Sequence, residues 1–163
     1  MELRSLEAVL SALNAAQVDY LIVGGLAVNV HGFVRLTRDV DIVMRLRPEM
    51  ATRGLAALLA IGYRLAIPER PEGFADPAVR ARWREEKGMI VLKLWSDEHQ
   101  RTPVDLFVYE PFPFDEEFGR ACTTELFPGV PARVVALDTL LTMKRAVGRP
   151  QDLIDAEELE RLR

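Results

Sequence analysis

Two stretches decide the reading of this chain: Tyr20-Leu21-Ile22-Val23-Gly24-Gly25-Leu26-Ala27-Val28, and shortly after it Asp39-Val40-Asp41-Ile42-Val43. The first is an apolar, β-rich run that breaks at two glycines and continues with helix formers. The second is a strand carrying two acids. Alternate side chains of a strand share a face, so Asp39 and Asp41 project together while Val40 and Ile42 point the other way. Aspartate is disfavoured in strands, and two unneutralised acids on one face repel. Strand, glycine turn, helix and acid-bearing strand together predict a phosphate cradle beside a divalent-cation site. Taken alone, Asp-x-Asp reads more readily as two solvated acids on a half-exposed strand.

Working outward, the 163 residues suit one domain with one core, taken here as 1–163. Apolar residues make up 49% and charged residues 28%, an ordinary globular composition. A net charge of −4 argues against broad binding of nucleic acid while leaving room for a local basic site. Cys122 is the only cysteine, which excludes an intramolecular disulfide and a four-thiolate zinc site. The amino terminus lacks the basic-then-apolar pattern of a secretory signal, and no apolar run is long enough to span a bilayer. The expectation is a cytoplasmic protein with no membrane partner.

Leu3, Leu6, Leu10 and Leu13 predict an amphipathic helix over Leu3–Ala16. Strands are expected at Tyr20–Val23, Asp39–Met44, Tyr63–Ile67, Met89–Trp95, Val104–Tyr109 and Val130–Val135. Leu26–His31 reads as a short helix ended by Gly32, and Arg47 starts another that Gly62 ends. Pro68–Pro77 reads as a flexible loop, Ala78–Glu86 as a charged helix or its continuation, and Pro111–Phe118 as aromatic and irregular. From 137 to 163 the chain is helical in two segments. Leu137, Leu140, Leu141 and Val147 are expected on the inner face of the first. Leu153, Ala156, Leu159 and Leu162 take that place in the second, with Asp152 and Asp155 on its acidic outer face. The fold class is α/β (α+β): a mixed, twisted sheet flanked by helices, closed on one side by two C-terminal helices.

Asp105, in Pro103-Val104-Asp105-Leu106-Phe107-Val108, is the third candidate acid. If its strand pairs beside that of Asp39 and Asp41, three carboxylates converge and suit two Mg²⁺ (or Mn²⁺) ions, the arrangement for in-line displacement at phosphorus. Asp105 is then placed to accept the proton of an attacking hydroxyl. Read alone, it is equally an edge-strand acid facing water. Gly24 and Gly25 permit close backbone approach and positive φ, and the following helix presents free N–H groups suited to a triphosphate. Of Arg35 and Arg38, Arg38 is the better candidate for the triphosphate; a salt bridge to Asp39 or Asp41 is the competing reading. Thr37 fits a turn or cap best. Lys144 and Arg149 are candidates for nucleotide phosphate or base, or solvated helix charges. His31, His99 and Cys122 have no partner at catalytic or ligand spacing and read as structural. Trp83 and Trp95 read as core, with the lining of a substrate cleft as the alternative.

These residues resemble the nucleotidyltransferase superfamily that shares the DNA polymerase β palm. Its pattern is an apolar strand, Gly-Gly or Gly-Ser, a helix, Asp-h-Asp-h (h is apolar) and a third acid on a later strand. The wording here is closest to small bacterial proteins of the AbiEii toxin type and to aminoglycoside and lincosamide nucleotidyltransferases. The tail Gly148-Arg149-Pro150-Gln151-Asp152-Leu153-Ile154-Asp155 resembles their C-terminal segment, with Gln151 where lysine is common. The resemblance implies a nucleotidyltransferase fold and a Mg²⁺-dependent transfer of a nucleoside monophosphate from an NTP, releasing pyrophosphate. It implies catalytic and metal roles for Asp39, Asp41 and Asp105, and nucleotide binding by Gly24, Gly25, Arg38 and Lys144. The acceptor it implies is a hydroxyl-bearing small molecule, protein or tRNA. The alternative is an inactive or regulatory module, such as a toxin-antitoxin component with a partner protein in a two-gene system.

Overall fold

The computed structural model describes residues 1–163. Its centre is a seven-stranded mixed sheet of order β3-β4-β5-β2-β1-β7-β6. The strands are β1 (Tyr20–Ile22), β2 (Val40–Met44), β3 (Arg64–Leu65), β4 (Val91–Trp95), β5 (Val104–Phe107), β6 (Cys122–Phe127) and β7 (Val130–Val134). β1 and β2 run antiparallel, while β2 and β5 run parallel although some sixty residues separate them in sequence. β1, an interior strand between β2 and β7, is buried along its whole length, as its unbroken apolar run requires.

Eight helices surround the sheet: α1 (Leu3–Ala15), α2 (Gly24–Val30), α3 (Pro48–Ala60), α4 (Glu72–Ala75), α5 (Pro77–Lys87), α6 (Phe114–Arg120), α7 (Leu137–Val147) and α8 (Pro150–Arg161). α1 buries Leu6, Val9, Leu10 and Leu13, one stripe at helical spacing. Proline occupies the first turn of α3, α5 and α8, where its missing N–H costs nothing. Gly148 sits between α7 and α8 at φ 67°, a left-handed link that a side chain would strain. A single cluster of 35 buried apolar residues forms the core.

Several expectations need correction. The two glycines lie inside the first turn of α2 rather than before it. Pro68–Pro77 is not a free loop: α4 forms within it and anchors Phe74 at 0% exposure. Pro111–Phe118 is not irregular: α6 starts at Phe114, with Asp115, Glu116 and Glu117 in its first turn, where acids favour a helix. β6 went unread because its side chains are exposed or half-buried throughout and show no clean alternation. Its signals are Thr123-Thr124, the Leu126-Phe127 pair and the Pro128-Gly129 turn into β7, with Gly129 at φ 73°. Trp83 is core, whereas Trp95 is 41% exposed near the sheet's outer edge, with Arg64 over its ring. Cys122, read as structural, lies exposed on β6.

The largest correction concerns α8. Asp152 and Asp155 point inward and are buried, while Leu153 and Leu162 are exposed; Val147 of α7 is exposed too. Hydrophobicity assigned the faces wrongly because cations, described next, compensate the two acids.

Candidate active site

β2 and β5 pair in register, with Asp41 opposite Asp105. Neighbouring residues in register on adjacent strands share a face, so the two carboxylates stand side by side. Asp39 precedes β2 by one residue on the same alternation. The three acids feel one another. Asp41 is pushed up to about 6, first by burial, then by the charges of Asp105 and Asp39. Asp105 is raised as well, chiefly by burial, with Asp39 adding to it and Lys93 opposing it. The structure therefore sets Asp41 and Asp105 side by side on one face, with the charge of Asp39 acting on both.

Lys93, on β4 directly opposite Asp105, donates to Asp105 Oδ2 at 3.2 Å. Sequence reasoning did not single it out, because only the β4–β5 register reveals the pairing. Asp105 Oδ1 is the sole buried side-chain polar atom without a hydrogen-bond partner. Such an atom costs free energy unless something fills the gap. No three acid, histidine or cysteine side chains close into a formed metal cage. The donor set still suits a hard divalent cation. It offers crowded carboxylate oxygens, two with raised proton affinity and one with an orphaned atom.

The glycines fit tightly against this centre. The N–H of Val23 donates to the Asp41 carbonyl at 3.0 Å and holds the end of β1 against β2. A Cβ on Gly24 would lie 1.9 Å from Asp41 Oδ2, and its φ of 64° is left-handed besides. A Cβ on Gly25 would meet Thr37 Oγ1 at 2.5 Å. Gly25 N–H also hydrogen-bonds Asp41 and partly offsets its raised pKa. The amino end of α2 thus faces the acids with no side chain in between.

A cavity of about 660 Å³ opens beside them, a volume that suits a small-molecule ligand. Gly24, Gly25, Arg38, Asp39 and Asp41 form part of its wall, and the segment before β2, Phe107 of β5, α7 and the start of α8 form the rest; Asp105 does not line it. The segment between α2 and β2 runs along its lip as a strap whose side chains alternate inward and outward. Arg35 points inward and grips Asp155 with two bonds of 2.6 Å. Arg38 points outward, lines the cavity and is exposed. The salt bridge that competed with its ligand role does not form; the strap arginine that pairs with an acid is Arg35, and it reaches to α8.

Lys144 also lines the cavity, but it is no solvated helix charge: it is buried and bonds Asp152 and Asp155, each at 2.8 Å. Arg149 bonds Asp152 at 2.7 Å, and Gln151 donates to Asp155 at 2.9 Å. Burial alone would raise Asp155, but hydrogen bonds from Arg35, Lys144 and Gln151 outweigh it and hold the carboxyl down at about 2. Asp152 is lowered in the same way against its burial. Three cations and two acids leave this wall one positive charge in excess, close enough that Lys144 lowers the pKa of Asp41. His31 and His99 are structural: His31 bonds the Val135 carbonyl, and His99 stacks on Tyr63 and bonds Ser5.

No family model matches the chain, and no curated protein matches it by sequence. Solved structures do. The lincosamide antibiotic adenylyltransferase LnuA, with lincomycin bound, matches with a TM-score of 0.63 and 14% identity over 100% of this chain and 99% of its own. The antibiotic-resistance factor ANT(2'')-Ia matches at 0.58 and 14%, covering 94% of this chain and 79% of that one. An antigenic nucleotidyltransferase-like protein from Paracoccidioides brasiliensis matches at 0.57 and 18%, covering 96% and 73%. Identities this low speak to architecture, and on that architecture the chain has the nucleotidyltransferase fold.

Proposed function

We propose that the chain transfers a nucleoside monophosphate from an NTP to a hydroxyl group of a small-molecule acceptor, with a divalent cation and with release of pyrophosphate. The observation that carries this reading is the register that sets Asp41 beside Asp105, with Gly24 against the Asp41 carboxylate. The structural neighbours include an adenylyltransferase with lincomycin bound and ANT(2'')-Ia in complex with adenylyl-2''-tobramycin, which supports a small acceptor over a macromolecule.

Asp39, Asp41 and Asp105 would hold Mg²⁺, which supplies charge neutralisation at the reacting phosphate and at the leaving oxygen. Gly24 and Gly25 leave room for the β- and γ-phosphates against the amino end of α2, and Arg38 neutralises charge on the pyrophosphate as it departs. The acceptor oxygen attacks the α-phosphorus while the bond to the β-phosphate oxygen breaks. Asp105 would orient the acceptor hydroxyl and take its proton. Lys93 holds the other oxygen of that carboxylate and fixes its orientation. Lys144 contributes through its charge, because its ammonium is engaged by Asp152 and Asp155.

The test is pyrophosphate release with each of the four NTPs, with and without Mg²⁺, against lincosamide and aminoglycoside acceptors. Mg²⁺- and acceptor-dependent release is expected, with Asp41→Asn lowering it at least ~100-fold, as loss of a catalytic electrostatic group does. Undiminished release by Asp41→Asn would remove that residue from the chemistry.

A further inference from the structure

Residue 25 is a glycine for a reason that its own backbone does not supply. Gly24 has a left-handed φ, but Gly25 does not, and it lies inside α2, where a side chain ordinarily favours the helix. A neighbour excludes that side chain. A Cβ on Gly25 would lie 2.5 Å from Thr37 Oγ1 and 3.0 Å from Thr37 Cβ. The Thr37 hydroxyl is the nearer atom, and it stands in the space that a side chain at position 25 would fill.

The strap brings the hydroxyl there and holds it. Residues 33–39 form no helix or strand of their own. The Asn29 side chain nevertheless takes both backbone groups of Arg35, donating to its carbonyl and accepting from its N–H, each at 3.0 Å. The Arg35 guanidinium, bound to Asp155, ties the same residue to α8. Thr37 therefore sits between a doubly anchored residue and the start of β2 at Val40. A segment ordered in advance spares a ligand the entropy of ordering it. The hydroxyl itself is uncommitted. Thr37 caps no helix, and its Oγ1 reaches only the Asp39 carbonyl, at 3.5 Å. Hydroxyl hydrogen bonds are ordinarily about 2.7–2.8 Å long, so this contact leaves the proton free for a better acceptor. Half-buried Thr37 lines the cavity together with Gly24, Gly25 and Arg38.

We infer that the Thr37 hydroxyl is a phosphate ligand, donating to a non-bridging oxygen of the β- or γ-phosphate from the space that Gly25 leaves open. The inference rests on the NTP-binding reading above and adds to it a donor carried by the strap. Thr37 supplies a directed hydrogen bond, and Arg38 beside it supplies charge. Glycine at position 25 is then required by Thr37 rather than by backbone conformation.

Calorimetric titration of the intact chain with the Mg²⁺ complexes of ATP and of inorganic tripolyphosphate tests it, on the parent, Thr37→Val and Thr37→Ser. Valine keeps the shape and removes the hydroxyl, while serine keeps the hydroxyl. Thr37→Val is expected to weaken both ligands about ten-fold or more, and Thr37→Ser to stay within roughly three-fold of the parent, as a hydrogen bond to a charged group dictates. Melting temperatures should agree among the three, because the contact to Asp39 is too long to hold the fold. The response of the melting temperature to Mg²⁺ alone should also be the same in Thr37→Val as in the parent, because the carboxylates are untouched. Undiminished binding by Thr37→Val would overturn the assignment. So would a loss confined to ATP, which would place the hydroxyl on the ribose or base, or an equal loss in Thr37→Ser. A weaker Mg²⁺ response in Thr37→Val would overturn it too, by assigning the hydroxyl to the carboxylates. Failure of the parent to bind either ligand would remove the NTP reading itself, an outcome distinct from the others.

Discussion

Gly24 is constrained twice, by its backbone and by its neighbour. Its φ of 64° strains any residue with a Cβ, and that Cβ would overlap the Asp41 carboxylate. Gly88 has a similar φ of 60° with nothing within 4 Å of its missing Cβ, so it isolates the backbone part. Gly88→Ala is expected to lose about 1 kcal/mol in urea denaturation. Gly24→Ala is expected to lose about 2 to 3 kcal/mol, because Asp41 must move as well. Equal losses would mean that the carboxylate is not held against the glycine. Asp41 itself carries the opposite sign. Its folded pKa of about 6 lies above its ordinary value of 3.8. Unfolding therefore releases a carboxyl that ionises more easily, and the folded state is penalised as pH rises from about 4 to 6. Asp41→Asn should be at least as stable as the parent at pH 7, with the difference vanishing below about pH 4. A residue retained at a cost to stability is one whose chemistry is in use. Chemical denaturation across that pH range decides the sign.

At the scale of elements, α8 is held to the strap and to α7 by charge as much as by apolar packing. Asp155 is wholly buried and bonds Arg35, Lys144 and Gln151 together. Asp155→Asn leaves one buried cation and one half-buried cation short of their partner, and about 3 kcal/mol of stability should go with it. The carboxyl's folded pKa of about 2 lies below 3.8, so its contribution is whole above about pH 4 and drains away as pH falls through 2. Asp155→Asn should accordingly lose part of the parent's stability slope between pH 4 and 2. This network also shows where reading the sequence stopped. Asp39-Val40-Asp41 and the Gly24-Gly25 break are local patterns, and they announced the fold and half of the site. Asp105 needed only the assumption that its strand pairs beside β2, which it does. The Arg35–Asp155 and Lys93–Asp105 pairs depend on chain closure over 120 and 12 residues. Periodicity therefore put Asp155 on the wet side of α8 and Leu153 on the dry side. A helix buries its acids when cations from other elements meet them, and no local pattern encodes that meeting.

At the scale of the whole molecule, the sheet converts remote sequence into one crowded charge centre. Antiparallel pairing of β1 with β2 sets Gly24 near Asp41, and parallel pairing of β2 with β5 brings in Asp105. Repulsion among three acids in a chain of net charge −4 is a strain that the proposed divalent cation would relieve. A ligand that binds only the folded chain stabilises it by RT ln(1 + [L]/Kd), about 1.4 kcal/mol at ten times Kd. Mg²⁺ should therefore raise the melting temperature at pH 7.5 by a few degrees. The gain should fade as pH drops through about 6, because protons then compete for Asp41. NaCl at matched ionic strength separates this from general screening, which acts on the whole surface and has no reason to turn off at that pH. Asp41→Asn removes a ligand along with the repulsion, so its melting temperature should start higher and respond little to Mg²⁺. If the variant gains as much as the parent, the cation is stabilising the molecule elsewhere. The carboxylate face would then be a strained surface without a bridging ion, and the transfer chemistry would lose its metal.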